Sequence, residues 1–267
     1  MEKYSILMSV YCKEKPENLK KSIESMLNQT IKSDDFVLVC DGKLTYELEK
    51  VIEMYKSNLN IIRLKKNVGL GNALNEGLKF CKHEIVVRMD TDDISIPTRC
   101  EKQLRMFEKN PKLGLVSSNI EEFLEDENYI IGTRVVPIDN EAIIKFSKKR
   151  NPMNHPAVVL KKNQVESVGG YSEKFHLFED YYLWVRMLQN GCVAENSSEY
   201  LLKMRTSKDM YKRRGGWIYA KNMLKFHWWM YREKWSSILD FFTGAIPHAA
   251  VCIMPNHLRK IIYMILH

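Results

Sequence analysis

The first third of the chain alternates short apolar runs with longer segments whose apolar residues recur at helical spacing. The apolar runs are typical of buried parallel strands: Ser5–Tyr11, Phe36–Cys40, Asn60–Leu64 and Glu84–Met89. Amphipathic helices are predicted between them, at residues 16–29, 45–55 and 67–80. This order predicts an α/β fold with an open, mostly parallel sheet and helices on both faces.

The pattern is less regular beyond residue 96. It predicts helices at 97–108 and 139–150, a strand at Gly114–Ser118, a polar hairpin at 123–136 and a strand-like run at Met153–Leu160. A Val168-Gly-Gly-Tyr turn then precedes a helix that carries Glu179 and Asp180. We expect one domain over 1–205, with halves of about 1–95 and 96–205, followed by a helical extension at 206–267.

The charge is unevenly distributed along the 267 residues. The net charge is +8, and residues 203–234 alone contain ten basic and two acidic residues, whereas residues 1–202 contain 29 basic and 30 acidic. Four of the five tryptophans also lie in residues 217–235. A basic and aromatic segment predicts a partner that is anionic and partly apolar.

Composition excludes several classes of protein. Hydrophobic residues at 45% and charged residues at 28% are typical of a globular chain rather than a disordered one. We expect neither a helix that spans a bilayer nor a secretory signal. The six cysteines are scattered without metal-binding or C-x-x-C spacing, so we expect no disulfide framework, no zinc site and a cytoplasmic location.

Three carboxylates, Asp90, Asp92 and Asp93, directly follow the fourth predicted strand. Carboxylates this close repel one another unless a cation or solvent intervenes, and a divalent ion that bridges to phosphate suits them. An acidic loop that caps the next helix is the alternative. Asp41 ends a neighbouring strand and favours a binding crevice, because ligands of open α/β sheets bind beyond the carboxyl ends of the strands.

Two further motifs have both a functional and a structural interpretation. The turn Asn67-Val-Gly-Leu-Gly-Asn either belongs to this crevice or is a plain tight turn, and it matches neither the dinucleotide nor the Walker A pattern. Glu179 and Asp180 lie among aromatic residues, which would raise a carboxyl pKa and suit proton transfer. Acids that complement a helix dipole are the alternative. For His155 we favour a core histidine over a ligand.

The chain resembles the inverting family 2 glycosyltransferases of the GT-A fold, through segments that occur in the same order: SVY, VLVCDG, KKNVGLGNALNEGL, VVRMDTDD, NHPAVV, GGY and EDYYLWVRM. The similarity covers about residues 4–190 and is closest to the bacterial subgroup that builds O-antigen and exopolysaccharide units. It implies a Rossmann-like GT-A domain, a nucleotide-diphosphate-sugar donor such as a UDP-hexose, and a Mn²⁺ or Mg²⁺ ion.

The resemblance also implies roles for individual residues. Asp41 would contact the base, Asp90 the ribose or base, and Asp92 the metal. Asp180 would deprotonate the acceptor hydroxyl, with Glu179 beside it helping to bind the acceptor. The other implied donor contacts are Val10, Tyr11, Asn67, Gly71 and Arg205.

One departure from the family concerns the end of the second strand. The family usually has two acids there, and this chain has Cys40-Asp41-Gly42, so the base contact rests on Asp41 alone. Arg205 and Lys208 either close over the diphosphate or form a solvated basic loop. A single displacement with inversion is expected, because a retaining mechanism needs a second nucleophilic carboxylate and none is identifiable.

Two other functions fit the sequence less well. A sugar nucleotidyltransferase would carry a Gly-rich basic loop after strand one, where this chain reads VYCKEKPEN. A nucleic-acid-binding protein would leave the acidic crevice unexplained, so no nucleic-acid partner is expected.

The C-terminal segment is interpreted as a membrane-surface element on the inner face of the cytoplasmic membrane. It would hold the enzyme against a polyprenyl-diphosphate-linked acceptor. Lys212, Arg213 and Arg214 would meet anionic lipid or the acceptor's diphosphate, with a solvated turn as the alternative. Aromatic residues that pack back on the body as core are the alternative to membrane contact.

Overall fold

The structure is a computed structural model and describes residues 2–207 and 215–255. Nine strands in these residues form one sheet: β1 Tyr4–Val10, β2 Asp35–Cys40, β3 Asn60–Arg63, β4 Ile85–Met89, β5 Ile94–Ser95, β6 Leu113–Phe123, β7 Ile130–Arg134, β8 Val159–Lys161 and β9 Val193–Arg205. The described part of the body also has a 3-10 helix at His155–Ala157 and seven α-helices: α1 Pro16–Leu27, α2 Tyr46–Met54, α3 Leu70–Leu78, α4 Arg99–Lys109, α5 Asn140–Phe146, α6 Lys162–Glu166 and α7 Glu179–Gln189.

The C-terminal section is helical as far as it is described. It contains α8 Trp217–Arg232, α9 Ile238–Asp240, a π-helical turn at Phe241–Ala245 and α10 Ile246–Ile253. Within residues 2–207 and 215–255, no helix combines the length and the hydropathy needed to cross a membrane. Lys208, Lys212, Arg213 and Arg214, which the sequence singled out, lie outside the described residues.

The sheet is parallel at one end and mixed at the other. Its strand order is β3-β2-β1-β4-β8-β6-β9-β5, with β7 paired to β6. The first four strands pair in parallel, as predicted: β1 with β2, β1 with β4 and β2 with β3. Beyond β4, β8 is antiparallel to both β4 and β6, and β6 is parallel to β9. The sheet is therefore more mixed than the pattern predicts. A hairpin is present, but its first strand is the end of β6, which continues past the predicted bound at Ser118 to Phe123 and pairs there with β7.

Alternate residues of the strands supply two separate cores. On one face, strand residues such as Ile6 and Met8 pack with α1, α2 and α4. On the other face, residues such as Leu7 and Val39 pack with α3, α5, α6 and α7. This is the alternation that a buried strand imposes on its side chains. A third cluster joins the loop before α7, the outer side of α7 and the helices α8 and α10.

Two buried arginines fix the carboxyl end of β4. Arg88 on the strand and Arg99 on α4 are each at most 1% exposed. Arg99 donates to the carbonyl of Arg88 at 2.7 Å and to the side chain of Gln103, which donates to the carbonyl of Ala157. Burial lowers the pKa of Arg99 to about 10. The contacts tie α4 to the strand end from which the acidic segment emerges.

Candidate active site

The acidic segment directly follows β4, as the sequence predicts. Asp90, Asp92 and Asp93 each offer one carboxylate oxygen, and these oxygens lie within 4.8 Å of one another. Two contacts from the first strand–helix unit hold the segment in place. Ser22 donates to the carbonyl of Asp90 at 2.6 Å, and Thr91 donates to the Glu14 carboxylate at 2.8 Å.

The electrostatics of the cluster favour a cation. Burial raises the pKa of Asp92 to about 7, with further contributions from Asp90 and Glu14. The pKa of Asp93 lies well above its ordinary value, because of burial and then of Asp92 and Asp90. One oxygen of Asp93 accepts the Arg205 backbone N–H, and the other is buried with no partner among the described residues. Repelling carboxylates with a spare buried oxygen fit Mn²⁺ or Mg²⁺.

Asp90 is held by an ion pair that the sequence reasoning missed. Both terminal nitrogens of Arg88 donate to the two Asp90 carboxylate oxygens, one of them at 2.6 Å. The guanidinium is buried, while the Asp90 side chain is 30% exposed. A charged residue within the apolar run of β4 is the sequence signal that could have pointed to this pair. The ion pair orients Asp90 with one edge towards solvent.

The predicted nucleotide-contact residues lie together at the carboxyl ends of β1 and β2. The backbone N–H of Asp41 donates to the carbonyl of Val10, and its buried carboxylate accepts the N–H groups of Val68 and Gly69 at 2.7 and 3.1 Å. Asn67 donates to the Asp41 carbonyl. Asp41 therefore organises the turn that begins α3, and its contact with a base stays a prediction.

The neighbours of that turn are packed closely. A Cβ on Gly42, whose φ is +86°, would lie 2.7 Å from the Asn67 nitrogen. A Cβ on Gly71 would lie 3.1 Å from the Cβ of Tyr171. Tyr11 is exposed beside this region. Gly42 thus allows this turn to approach closely, and Gly71 gives room to Tyr171. Gly69 has a φ of +85°, which glycine adopts without strain.

Arg205 lies at the end of β9, next to the acidic segment. Its Nε donates to the carbonyl of Asp92 at 3.1 Å, and one terminal nitrogen donates to the carbonyls of Leu124 and Glu125. The guanidinium also lies 4.5 Å from the centroid of the Phe123 ring. These contacts hold the acidic segment against β6 and β9. Closure of Arg205 over a diphosphate stays a prediction.

Glu179 and Asp180 form the first turn of α7. Asn151 donates to Asp180 at 2.8 Å, and burial raises the pKa of the Asp180 carboxyl. Glu179 accepts the N–H of Leu177 at 3.0 Å and lies 3.3 Å from the His176 ring nitrogen. Leu177 has a φ of +72°. Glu179 therefore stabilises the loop before the helix. Asp180 instead bonds to Asn151, and its carboxyl has a raised pKa.

Asp180 and Asp90, the first residue of the acidic cluster, lie near the same two residues, Tyr171 and Arg88. The phenol pKa of Tyr171 is raised by burial, and both Asp180 and Asp90 add to the increase while Arg88 opposes it. Arg88 also acts on the Asp180 carboxyl. Arg88 and Tyr171 are therefore neighbours of both Asp180 and Asp90. The sequence assigns no role to Tyr171, although it lies in the GGY segment of the family resemblance, and none to Asn151.

His155 packs against Tyr171 and Trp184. Its Nε2 lies 2.9 Å from the Tyr171 hydroxyl, and its ring packs edge-on against Trp184. Burial, and then Arg88, lowers the histidine pKa well below its ordinary value. In the part of the chain that the structure describes, no candidate metal group includes His155. These contacts fit the core interpretation.

Comparison with known proteins identifies the family. The family described as "Glycosyl transferase family 2" matches residues 5–166. A UDP-Gal:alpha-D-GlcNAc-diphosphoundecaprenol beta-1,3-galactosyltransferase from Escherichia coli is 40% identical over 98% of this chain and 95% of its own length. The amylovoran biosynthesis glycosyltransferase AmsE from Erwinia amylovora is 40% identical over 84% of each chain.

Solved structures support the fold. The S. aureus TarS fragment 1–349 in complex with UDP-GlcNAc has a TM-score of 0.64 at 15% identity, covering 84% of this chain and 65% of that one. Full TarS covers 84% of this chain and only 38% of its own length. The predicted GT-A class, with a sheet flanked by helices, is confirmed. Together with the family match, this shows that the chain is a glycosyltransferase and belongs to glycosyl transferase family 2.

Proposed function

We propose that this enzyme transfers a hexose from a UDP-hexose to a sugar carried on a polyprenyl diphosphate, in the synthesis of a bacterial surface polysaccharide. The relative from E. coli, whose alignment includes almost the whole chain, carries such a donor and acceptor in its name. The observation that carries the proposal is the three-carboxylate cluster after β4, whose Asp90 is paired with Arg88, together with the Asp180 carboxylate that Asn151 holds near the same arginine.

The donor half of the proposal concerns the acidic cluster. Asp92, with Asp90 and Asp93, would hold a Mn²⁺ or Mg²⁺ ion. Such an ion supplies positive charge that stabilises the leaving diphosphate. Arg88 keeps Asp90 oriented, and the backbone of Arg205 keeps Asp93 in place. The turn that Asp41 organises would hold the nucleotide beside β1 and β2.

The acceptor half concerns Asp180. Its carboxylate would take the proton of the attacking hydroxyl, with the Asn151 amide fixing the oxygen that it contacts. The raised pKa makes the carboxylate a stronger base than a solvent-exposed aspartate. A single carboxylate on that side of the donor sugar performs one displacement, so the product has inverted configuration.

The test uses the purified full chain with UDP-galactose, Mn²⁺ and a synthetic alkyl-diphospho-GlcNAc acceptor. We expect a β-linked disaccharide from the α-linked donor, assigned from the anomeric coupling in NMR spectra. Asp180→Asn should lower kcat by about 10²–10⁴-fold with donor affinity retained. Glu179→Gln is the matched control and should retain more activity. An α-linked product, or wild-type turnover in Asp180→Asn, would refute the mechanism.

We further propose that the C-terminal section binds an anionic membrane surface, at the inner face of the cytoplasmic membrane. The outer side of α8 and the helical turns after it expose large apolar side chains: Trp217, Ile218, Trp228, Leu239 and Phe242. Exposed Lys221, Lys225 and Arg232 lie on α8 among them. This combination suits the headgroup boundary of a bilayer.

Vesicle flotation tests this proposal. The full chain should float with phosphatidylglycerol vesicles at low salt and less with phosphatidylcholine, because each basic residue near an anionic surface contributes about 1 kcal/mol. Lys221→Glu with Lys225→Glu should weaken flotation, and Lys43→Glu with Lys50→Glu is a control of equal charge change. Equal flotation of both pairs, or none with wild type, would exclude this surface.

A further inference from the structure

The hydrogen bond from Asn151 to Asp180 belongs to a closed set of contacts. Asn151 lies five residues after Phe146, the last residue of α5, in the turn that begins with Ser147. The Tyr181 hydroxyl, on the residue after Asp180, donates to the Ser147 carbonyl at 2.7 Å. The turn at 147–151 therefore contacts α7 at both Asp180 and Tyr181. The position of this turn sets the position of the Asn151 amide.

The outer side of this turn is held by the C-terminal section. The indole N–H of Trp235 donates to the Ser147 hydroxyl at 3.1 Å, and that hydroxyl donates to the carbonyl of Ile144. Asp240 lies 3.4 Å from the Lys149 ammonium. Ser147 is fully buried, so its hydroxyl has no solvent to replace a lost partner.

The backbone makes a specific turn to bring Trp235 to this place. At the end of α8, Trp235 N–H bonds to the carbonyl of Met230 and Lys234 N–H to that of Tyr231, the pattern of a Schellman motif. Lys234 has a φ of +59°, a left-handed conformation that glycine usually occupies. The chain adopts this conformation with a lysine, and the reversal directs the indole towards Ser147.

The same section supports the start of α7 from a second side. Phe226 on α8 is fully buried and packs against Phe175, Phe178 and Tyr181, with ring centroids 5.2, 5.8 and 4.7 Å away. Phe178 is the residue that precedes Glu179 at the N-terminus of α7. Asp180 thus lies between two contacts with the C-terminal section, one through its own helix and one through the 147–151 turn.

We infer that Trp235 is a positioning residue for the transfer reaction, which acts through Ser147 and Asn151 on Asp180. The inference rests on the proposed role of Asp180 as the base. It makes the C-terminal section part of the acceptor site, in addition to any membrane contact. A displacement of about 1 Å in a reacting group can cost about a hundredfold in rate, so a small shift of the 147–151 turn is enough to matter.

The experiment is a double-mutant cycle on the full chain with the UDP-galactose and alkyl-diphospho-GlcNAc assay. Trp235→Phe keeps an aromatic ring and removes the indole N–H, and it should lower kcat about three- to tenfold with the donor KM unchanged. Asn151→Ala should lower kcat further. The double variant should be no slower than Asn151→Ala alone, because the two residues act through one contact. Tyr55→Phe likewise removes one aromatic hydrogen-bond donor, from the bond to Glu24 between α2 and α1, and as the matched control it should keep wild-type kcat.

The outcomes separate this inference from the proposed function. Multiplicative losses in the double variant, or wild-type kcat in Trp235→Phe, would overturn the positioning role while Asp180→Asn stays inactive. Wild-type kcat in Asp180→Asn would instead overturn the proposed base. A rise in donor KM with kcat unchanged in Trp235→Phe would also contradict the inference, because the contact lies on the acceptor side. Circular dichroism melting of each variant shows whether it is folded at the assay temperature.

Discussion

Asp92→Asn tests the repulsion within the acidic cluster, because it replaces one carboxylate by a neutral amide of similar shape. The pKa of Asp92 is raised from 3.8 to about 7 in the folded protein, so the folded state binds this proton more tightly than the unfolded state. Folding stability must therefore decrease as pH rises between these two values. Above pH 7, in the absence of metal, the full cost of the ionised carboxylate is present.

The shift sets the size of the effect. A difference of roughly three pKa units, at 1.36 kcal/mol each, gives an upper bound of about 4 kcal/mol. The group is partly exposed and shares its proton with neighbouring carboxylates, so about 2 kcal/mol is the expected value. Asp92→Asn should be more stable than wild type by this amount at pH 8 in a chelator, and by less than half of it at pH 5, because the unfolded carboxyl already ionises above its pKa of 3.8.

Urea unfolding at pH 5 and pH 8, with EDTA and then with Mn²⁺, measures this. Mn²⁺ should stabilise the wild type at pH 8 and have little effect on the variant, since binding to the folded state adds stability. Glu127→Gln is the control: the Lys21 ammonium lowers the pKa of the Glu127 carboxyl, so this carboxylate is ionised in the folded state at both pH 5 and pH 8 and its removal should not stabilise the protein at pH 8. If Asp92→Asn is less stable than wild type at both pH values, the repulsion argument is wrong.

Two further predictions concern positive-φ positions. Gly42→Ala should lower stability by at least about 1 kcal/mol and weaken UDP binding, since a Cβ there would lie 2.7 Å from the Asn67 nitrogen at a φ of +86°. Calorimetry measures the binding of UDP. Gly191→Ala is the control, because a Cβ there meets nothing within 4 Å. Lys234→Gly should raise the free energy of unfolding by up to about 1 kcal/mol in urea titrations, because glycine adopts the left-handed conformation without strain. A destabilised Lys234→Gly would contradict this reasoning.

The sequence predicts the structure of residues 1–95 well because the signals there are local. Strands β1 to β4 are short apolar runs between amphipathic helices, and each observed element begins and ends within a few residues of its predicted bounds. Asp90, Asp92 and Asp93 follow β4 in the chain, so their closeness needs no tertiary information. Parallel topology then places Asp41 at the same edge of the sheet.

The structure beyond residue 95 is harder to predict because the contacts there are long-range. The long strand β9 contains Asn196-Ser-Ser-Glu and pairs with β6 through several register shifts, so it has no regular alternation to recognise. The packing of α5, α7 and α8 is what brings Asn151 to Asp180 and Trp235 to Ser147. The aromatic C-terminal residues divide between the two interpretations: Phe226 is core, whereas Trp217 is 74% exposed. The division at residue 206 stays a prediction.

The bond from the Arg205 backbone to Asp93 has a consequence for folding order. These residues are 112 positions apart, and β5, next to Asp93, pairs only with β9 among the described strands. Closing so long a loop is slow compared with forming the local β-α units, so the early strands form first and β9 inserts late. On the ribosome, the acidic segment stays without its backbone partner until residue 205 has emerged. A chain stopped before β9 is therefore expected to form the parallel strands but not a complete acidic cluster. Full binding of the donor should begin only after residues 96–205 have folded.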